Sequence, residues 1–506
     1  MKLWLAQMIV DRGFYLDRNP DVAAAGVDPA VHFAECWSKP PLRAPNATIE
    51  PWIYTLSPLI VLGLALLKRD RPDITDCFRY RINQLSTRIG LNSQHKIALA
   101  IARAIASRPN LHCPSLGNIF PVTRLWSDER PWLKCTTVQG LGKYTFSDPS
   151  VALSTDASVD RTVARPSLWS AEIRDASIFG FSQIVAHFSF VAYEPAADPD
   201  LQYTSRQCEF IVPCFRSPAD RVLARVPPSP NATLPEGILL VGRCGSNYFH
   251  FMIEYLTKGY VLECAKIAKS IPLIITEDLY PQEFEALKIV FPERDLIVRR
   301  HASRLDVAKL HVPSVMTYIP DTPTIDFWKV AAVNHDSLYW LRTRVLSALE
   351  NADAKPSRYI YLGRTAGRNI KNRGEVEAVF RRNNFEIIDP AGLSFLEQVR
   401  IFSSAICIAG PIGAAFANVI FAPKGALVLG LVSPYAVQFP IFSSLAKFAE
   451  CRYLAVPGKR RDPRSDPAQK RESLEVTHGD YELNIEYLSD VIRVETANLT
   501  PSDIAP

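Results

Sequence analysis

The sequence predicts an α/β protein of two lobes, each a sheet flanked by helices, behind a small helical module at the N-terminus. Three observations carry the prediction. Strand and helix patterns alternate from about residue 166 to 325 and again from 326 to 506. In the second of these stretches the helix starts carry capping residues, and a glycine-containing turn follows a strand in both. The 506 residues are 48% hydrophobic, enough for more than one packed core.

Taken in order, Phe14 to Trp37 reads as compact and helical, with Pro20 and Pro29 suited to helix starts after Asn19 and Asp28. It defines a module over residues 1–45. Residues 46–165 read as a helical connector or accessory region. Within it, Ile53 to Leu67 is apolar but broken by Pro58 and shorter than the roughly 20 residues of a spanning helix, so it reads as a buried core helix. The first α/β lobe, 166–325, starts with short alternating runs (Ala176–Phe181, Gln183–Tyr193, Cys208–Phe215). A strand at Ile238–Val241 then enters Gly242–Gly245 and a helix from Ser246, followed by strands at Pro272–Ile275 and Asp295–Val298. Val312–Thr324 is expected to cross between the lobes and to lead into a long helix, Asp326–Leu349.

The second lobe, 326–506, has the clearest pattern. Arg358–Leu362 is a strand, and Asn372 with Glu375 reads as a capping box opening the next helix. Phe385–Ile388 is a strand, and Ser394 with Glu397 opens another helix in the same way. Ala405–Ala409 runs into the turn Gly410-Pro411-Ile412-Gly413, a short helix reaches Phe421, and Ala426–Leu431 is a fourth strand. Ligands are expected where strand C-ends meet helix N-ends.

The charge balance, 57 basic against 52 acidic residues, is too even for a nucleic-acid-binding field. The ten cysteines show no C-x-x-C pair and read as reduced, mostly buried thiols of a cytosolic protein. Met1–Val10 fits a signal peptide poorly, and the sequons at Asn46, Asn231 and Asn498 carry no weight in that compartment. Lys459–Arg471 reads as a solvated loop, with attraction to anionic lipid as the alternative. No metal site is expected. Asp198-Pro199-Asp200 lies in a Pro/Ala-rich loop, away from any strand end.

Two sets of residues carry chemistry. Arg364 and Arg368 follow a strand, with Lys371 nearby; guanidinium groups there can hold a diphosphate, although a basic surface loop explains them equally well. The Gly410–Ala415 turn offers backbone N–H groups at a helix start, with Gly413 and Ala414 at its centre. Asn372, Glu375 and Glu397 can simply cap helices, the preferred reading for Glu375, whereas Gln398 and Asn418 are harder to explain by capping and are suited to hydrogen-bond a base, ribose or sugar. In the first lobe, Asn247, His250, Glu254, Thr257 and Lys258 form one polar stripe on an apolar helix. His250 and Glu254, four apart, can pair and orient the imidazole as a general base; a purely structural pair is the other reading.

The run from YIYLGRTAGRNIKNRGEVEAVF to SSAICIAGPIGAAFANVIFAPKG, together with the upstream GSNYFHFMIE, resembles glycosyltransferase family 61 over about Gly237 to Asp490. The segment FYLDRNPDVAAAGVDPAVHF resembles a module found at the ends of bacterial polysaccharide glycosyltransferases, which points to a bacterial source. Two positions depart from the family pattern: Ile412 stands where a His usually precedes Gly-Ala, and Gly430 stands where a Glu often ends the next strand.

The resemblance implies a GT-B-like fold of two Rossmann-type lobes facing a cleft. It implies an inverting, metal-independent transferase without cofactor, moving a hexosyl or pentosyl group from a nucleotide sugar to a hydroxyl of a capsular or other bacterial surface glycan. Under this reading the acceptor is a free or lipid-linked glycan, and the protein is cytoplasmic or at the inner membrane face. His250 and Glu254 would be catalytic, Asn247 on the acceptor side, and Arg364, Arg368, Lys371, Asn372, Glu397, Gln398, Gly413, Ala414 and Asn418 would bind the donor. A catalytically silent carbohydrate- or nucleotide-sugar-binding relative is the alternative. A dinucleotide-dependent oxidoreductase is disfavoured because GPIGAA lacks the G-x-G-x-x-G spacing.

Overall fold

The computed structural model describes residues 10–36, 118–194 and 232–499 apart from internal gaps, the longest at 318–332, 350–354, 364–369 and 460–479, with short pieces before residue 8 and between 211 and 230. The chain forms two compact units, one built on residues 1–119 with 208–216 and 221–225, the other on most of 120–506.

In the first unit, helices α1 (Arg12–Arg18), α2 (Pro20–Ala25) and α3 (Pro29–Cys36) follow one another, two of them opened by the expected prolines. Gly26 closes α2 at φ 63°, a left-handed conformation that carries no Cβ penalty for glycine. Asp28 accepts the N–H groups of Ala30 and Val31, as a residue before a helix start should. Asn19 instead donates its amide back to the Tyr15 carbonyl. The Tyr15 hydroxyl meets His32 Nδ1 at 3.0 Å and its ring lies edge-on to Phe33, which ties α1 to α3.

Beyond the module the strands are β1 (Asn118–Arg124), β2 (Leu133–Gln139), β3 (Gly142–Ser147), β4 (Ser150–Val151), β5 (Asp160–Arg165), β6 (Leu168–Phe179), β7 (Gln183–Ala186) and β8 (Phe190–Tyr193). The short β9 (Ile211–Pro213) and β10 (Arg221–Ala224) pair antiparallel within the first unit. Then come β11 (Ala232–Leu239), β12 (Leu273–Thr276), β13 (Leu296–Arg299) and β14 (Leu305–Pro313). In space these four run β13-β12-β11-β14, all parallel, and β14 continues antiparallel into β6, β7 and β8. Chain order reverses between β11 and β14, and the open crevice of a parallel sheet lies at the strand C-ends there. β11 delivers the chain to that crevice. A short helix, Tyr248–His250, continues into a π-helical turn, Phe251–Tyr255, and then α4 (Lys258–Cys264). After β12 comes α5 (Pro281–Val290), and α6 (His335–Leu346) follows β14.

The second sheet is entirely parallel. It comprises β15 (Arg358–Leu362), β16 (Glu386–Ile388), β17 (Ala405–Pro411), β18 (Leu427–Val432) and β19 (Arg452–Pro457), in the order β16-β15-β17-β18-β19, with β4 beside β19. Its reversal point lies between β15 and β17, so the loops after Leu362 and Pro411 flank its crevice. Helices α7 (Arg373–Arg382), α8 (Phe395–Ser403), α9 (Ile441–Phe448) and α10 (Ile485–Thr496) complete it, with a 3-10 helix at Ala414–Phe421. Every residue of β17 and β18 is buried, as a sheet covered on both faces requires. One face packs Leu427, Leu429 and Leu431 against Val376, Phe380 and Val491; the other packs Val428, Ile412 and Tyr453 against Phe416 and Phe442.

The mixed α/β architecture with parallel-rich sheets agrees with the sequence expectation, and the four strands read in the second lobe stand within two residues of their predicted ends. Several expectations change. Residues 118–165 form β1–β5 rather than a helical connector, and the β3–β5 hairpin packs on α9, where Ser147 N donates to Ser444 Oγ and Asp160 pairs with Lys447. Val312 and Pro313 end β14 rather than starting a crossing segment, because the strand is held over eight residue pairs by β6. The helix expected from Asp326 is described only as α6, from His335. Asn372 makes no capping bond: its Oδ1 accepts from Leu483 N and its Nδ2 donates to Leu483 O, so it bridges to the chain before α10. The Ser394–Glu397 capping box is formed. Five described cysteines are free thiols, but only Cys407 is buried; Cys135 and Cys264 are exposed. Residues 37–117, Asp198–Asp200, 460–471 and the three sequon asparagines lie outside the described residues. Among the described residues, no helix is long and apolar enough to cross a membrane.

Candidate functional site

The site is built first on the segment that leaves β11. Asn247 accepts the Phe249 N–H through its side chain and so starts the helix at the sheet's reversal point. Leu256 N then reaches Phe251 O at 2.8 Å, one residue beyond the α-helical partner, and this π-turn lies within the polar stripe. Such single turns recur at functional sites because they redirect the side chains around them.

The stripe is thereby divided. His250 Nδ1 lies 2.9 Å from Glu254 Oε2, with the Glu254 side chain fully buried and that of His250 11% exposed. With Glu254 ionised, Nδ1 carries the proton and Nε2 presents its lone pair. Among the described residues Nε2 has no hydrogen-bond partner. Thr257 turns back to the Ile253 carbonyl, and Lys258, completely buried, pairs with Glu194 at 2.6 Å. Those two are therefore committed to the fold, and His250–Glu254 is the part of the stripe left for chemistry. Gly242, ahead of the helix, leaves the space that the Tyr255 ring fills; a Cβ there would come within 2.4 Å of it.

Side chains from both sheets meet beside this pair. Tyr248 donates its hydroxyl to Asn418 Oδ1 at 2.9 Å, Asn418 Nδ2 donates to Gln398 Oε1 at 2.8 Å, and Gln398 Nε2 donates to Pro390 O. Burial pushes the Tyr248 hydroxyl well above its ordinary range, so it stays a donor. Gln398 and Asn418, expected at the donor, are buried and spend their amides on this chain of bonds. On α5, Gln282 donates to the carbonyls of Ala391 and Leu393, and the Glu285 carboxylate accepts the N–H groups of Phe395 and Leu396 at the start of α8. Helix α5 is thus fastened to the loop after β16 and to the start of α8.

Of the other expected donor residues, Gly413 and Ala414 are half-buried at the start of the 3-10 helix, beside the end of β17. Lys371 is exposed. Glu397 is exposed and closes its capping box, and the Ser394 N–H and hydroxyl hold its carboxyl below the usual range. Arg364 and Arg368 lie outside the described residues, in the loop leaving β15. Ile412 is 5% exposed, and its N–H bonds to Leu431 O. At Gly430, the Tyr453 ring fills the place a side chain would take. Among the described residues, no three His, Cys, Asp or Glu side chains are placed to hold a metal ion.

One acidic group was not singled out by the sequence. Glu283, fully buried in the first turn of α5, accepts Tyr280 N–H at 2.7 Å, and burial pushes its carboxyl up to about 8, with the Asp278 charge adding to the rise. The native state holds this proton to higher pH than the unfolded chain, so its stabilising effect is complete below the ordinary carboxylate range and is lost as pH rises through 8. Glu283→Gln, which cannot ionise, is expected to flatten that loss. Thermal unfolding from about pH 5 to about pH 9 should show the wild type falling more steeply than the variant; parallel curves would contradict the assignment. Glu283 Oε1, Asp278 Oδ1 and Thr276 Oγ1 are buried without hydrogen-bond partners, each at a cost of about 1–3 kcal/mol.

Residues 248–429 match the family model Glycosyltransferase 61. The matched stretch starts at the helix carrying His250 and stops one residue short of Gly430, so it contains every candidate site residue except Asn247. It supports glycosyltransferase activity, with sugar donor and acceptor substrates. A search of curated proteins finds no match.

Proposed function

We propose that the chain is an inverting, metal-independent glycosyltransferase of GT-B-like arrangement, with the acceptor bound by the β11 lobe and a nucleotide sugar by the β15 lobe. The observation that carries this reading is the His250–Glu254 pair at the reversal point of the first sheet, beside side-chain bonds to the second sheet's loops. In the proposed reaction, His250 Nε2 takes the acceptor hydroxyl's proton as its oxygen attacks the anomeric carbon. The bond from that carbon to the diphosphate breaks on the opposite face, inverting the configuration. Glu254 accepts Nδ1–H and stabilises the imidazolium that forms. The departing diphosphate carries the developing charge, which Arg364, Arg368 and the N–H groups around Gly413 would stabilise.

The cytoplasmic location rests on the cysteine pattern and the poor signal-peptide fit, the peripheral membrane contact on Lys459–Arg471, and the bacterial surface-glycan acceptor, lipid-linked or free, on the sequence resemblance; together they complete the proposal. Arg364→Ala is expected to abolish nucleotide-sugar binding in a folded protein. Calorimetry against a panel of nucleotide sugars checks this, and unchanged affinity would sink the second-lobe assignment. A second reading, a relative that binds donor without turnover, is favoured by Ile412 and by the Tyr453 ring at Gly430. It predicts affinity for a nucleotide sugar with no transfer and no hydrolysis.

A further inference from the structure

The loop joining β12 to α5 combines features that the reaction proposed above leaves unused. Thr276 ends β12 and is fully buried with its Oγ1 unpartnered, and Glu283 is fully buried with its Oε1 unpartnered. Asp278 Oδ1 is buried and unpartnered between them in the chain, and its charge reaches the Glu283 carboxyl. Tyr280, in the same loop, is 54% exposed while its backbone N–H is held by Glu283. The loop lies at the C-end of a parallel strand, next to the one that delivers His250, and just beyond it Gln282, in the first turn of α5, bonds to the second sheet's turn at Ala391 and Leu393.

These features match the two faces of a pyranose. A sugar ring presents an apolar C–H face, which suits a partly exposed aromatic ring, and hydroxyls that donate to carboxylate oxygens. Buried polar atoms ordinarily find partners, so an unpartnered carboxylate oxygen in the loop at a strand C-end marks a place where a donor is missing. The geometry points to a saccharide subsite on this loop: the Tyr280 ring takes the face of an acceptor sugar, and one hydroxyl of that sugar donates to Asp278 Oδ1. The subsite deepens the transferase reading and rests on it for the sugar's role as acceptor.

Saturation-transfer NMR with methyl glycosides of the common pyranoses tests it; they carry no aromatic group of their own to stack. The wild type should bind at least one of them, and Tyr280→Ala should weaken that binding about tenfold. Asp278→Asn, which keeps the shape and removes the charge, should weaken it as well, while both variants keep the wild type's affinity for uridine, guanosine or cytidine diphosphate. Binding undiminished in both variants overturns the subsite, as does a wild type that binds none of the glycosides. If Asp278→Asn does not fold, the exposed Tyr280→Ala decides alone. Glycoside binding lost in Tyr280→Ala, in a wild type that binds no nucleoside diphosphate, upholds the subsite and removes the transferase reading.

Discussion

His250→Ala is expected to lower the rate of sugar transfer by about 100-fold or more while leaving donor affinity intact. The size follows from what the side chain is placed to do. Its Nδ1 is fixed at 2.9 Å from a fully buried carboxylate, which sets both the ring plane and the position of the proton. The remaining nitrogen has no protein partner among the described residues, at the C-end crevice where a parallel sheet binds its ligands. Removing the imidazole leaves the acceptor hydroxyl without a base, but leaves the second sheet's loops unchanged. Single-turnover transfer and donor calorimetry on the same variant separate the two effects. Full activity would remove His250 from the mechanism, and loss of donor binding would make its role structural. Because Glu254 is wholly enclosed, Glu254→Gln, which keeps its volume, is the better companion; a role through the imidazole predicts a fall in kcat with little change in donor affinity.

How much of this could be read from the sequence depended on whether the information was local. The second sheet was legible because its central strands β17 and β18 are buried on both faces and so appear as unbroken apolar runs, and because Ser394 with Glu397 is a self-contained capping signal. His250 with Glu254 was legible for the same reason: the partners are one turn apart. Strand β2, in contrast, buries one residue at its start and exposes the next four, so no alternation of apolar and polar residues marks it; its ladder with β6 does. Asn372 has the residue types of a capping box, yet a backbone more than a hundred positions later takes its amide. Gln398 and Asn418 are unusual as polar residues in apolar runs, and that signal was real, but it did not reveal that Tyr248 and the 390–393 turn are their partners. The π-turn at Phe251–Tyr255 leaves no mark in the residue types. Glu283 follows Tyr280 at capping-box spacing, but Tyr is not a residue recognised at that position, so its burial went unread.

Gly430→Ala is expected to lower stability, because the space beside that backbone is already filled. A Cβ built there would lie 2.2 Å from the Tyr453 hydroxyl oxygen and 2.8 Å from its Cζ. The ring is rigid, 8% exposed, and packed in the same cluster as Ile412, Val428 and Phe416, so it cannot withdraw without moving neighbours. The variant should lose about 1–3 kcal/mol, read as a lower urea midpoint at unchanged slope. Tyr453→Phe in the same chain removes the nearest atom but leaves Cζ close, so the double variant should recover part of the loss, and the two changes should fail to add. Strict additivity would show that something other than Tyr453 excludes the methyl. The result bears on function because Gly430 and Ile412 sit at the ends of adjoining strands on the face that packs toward the 3-10 helix. There this chain has one aliphatic residue and a tyrosine reaching across from β19. If the Tyr453 hydroxyl takes over a contact to the donor, Tyr453→Phe alone will weaken nucleotide-sugar binding in a protein whose stability barely changes. If the ring is only filler, that variant will bind as the wild type does, and the donor will have to be held by the loops after β15 and β17 alone.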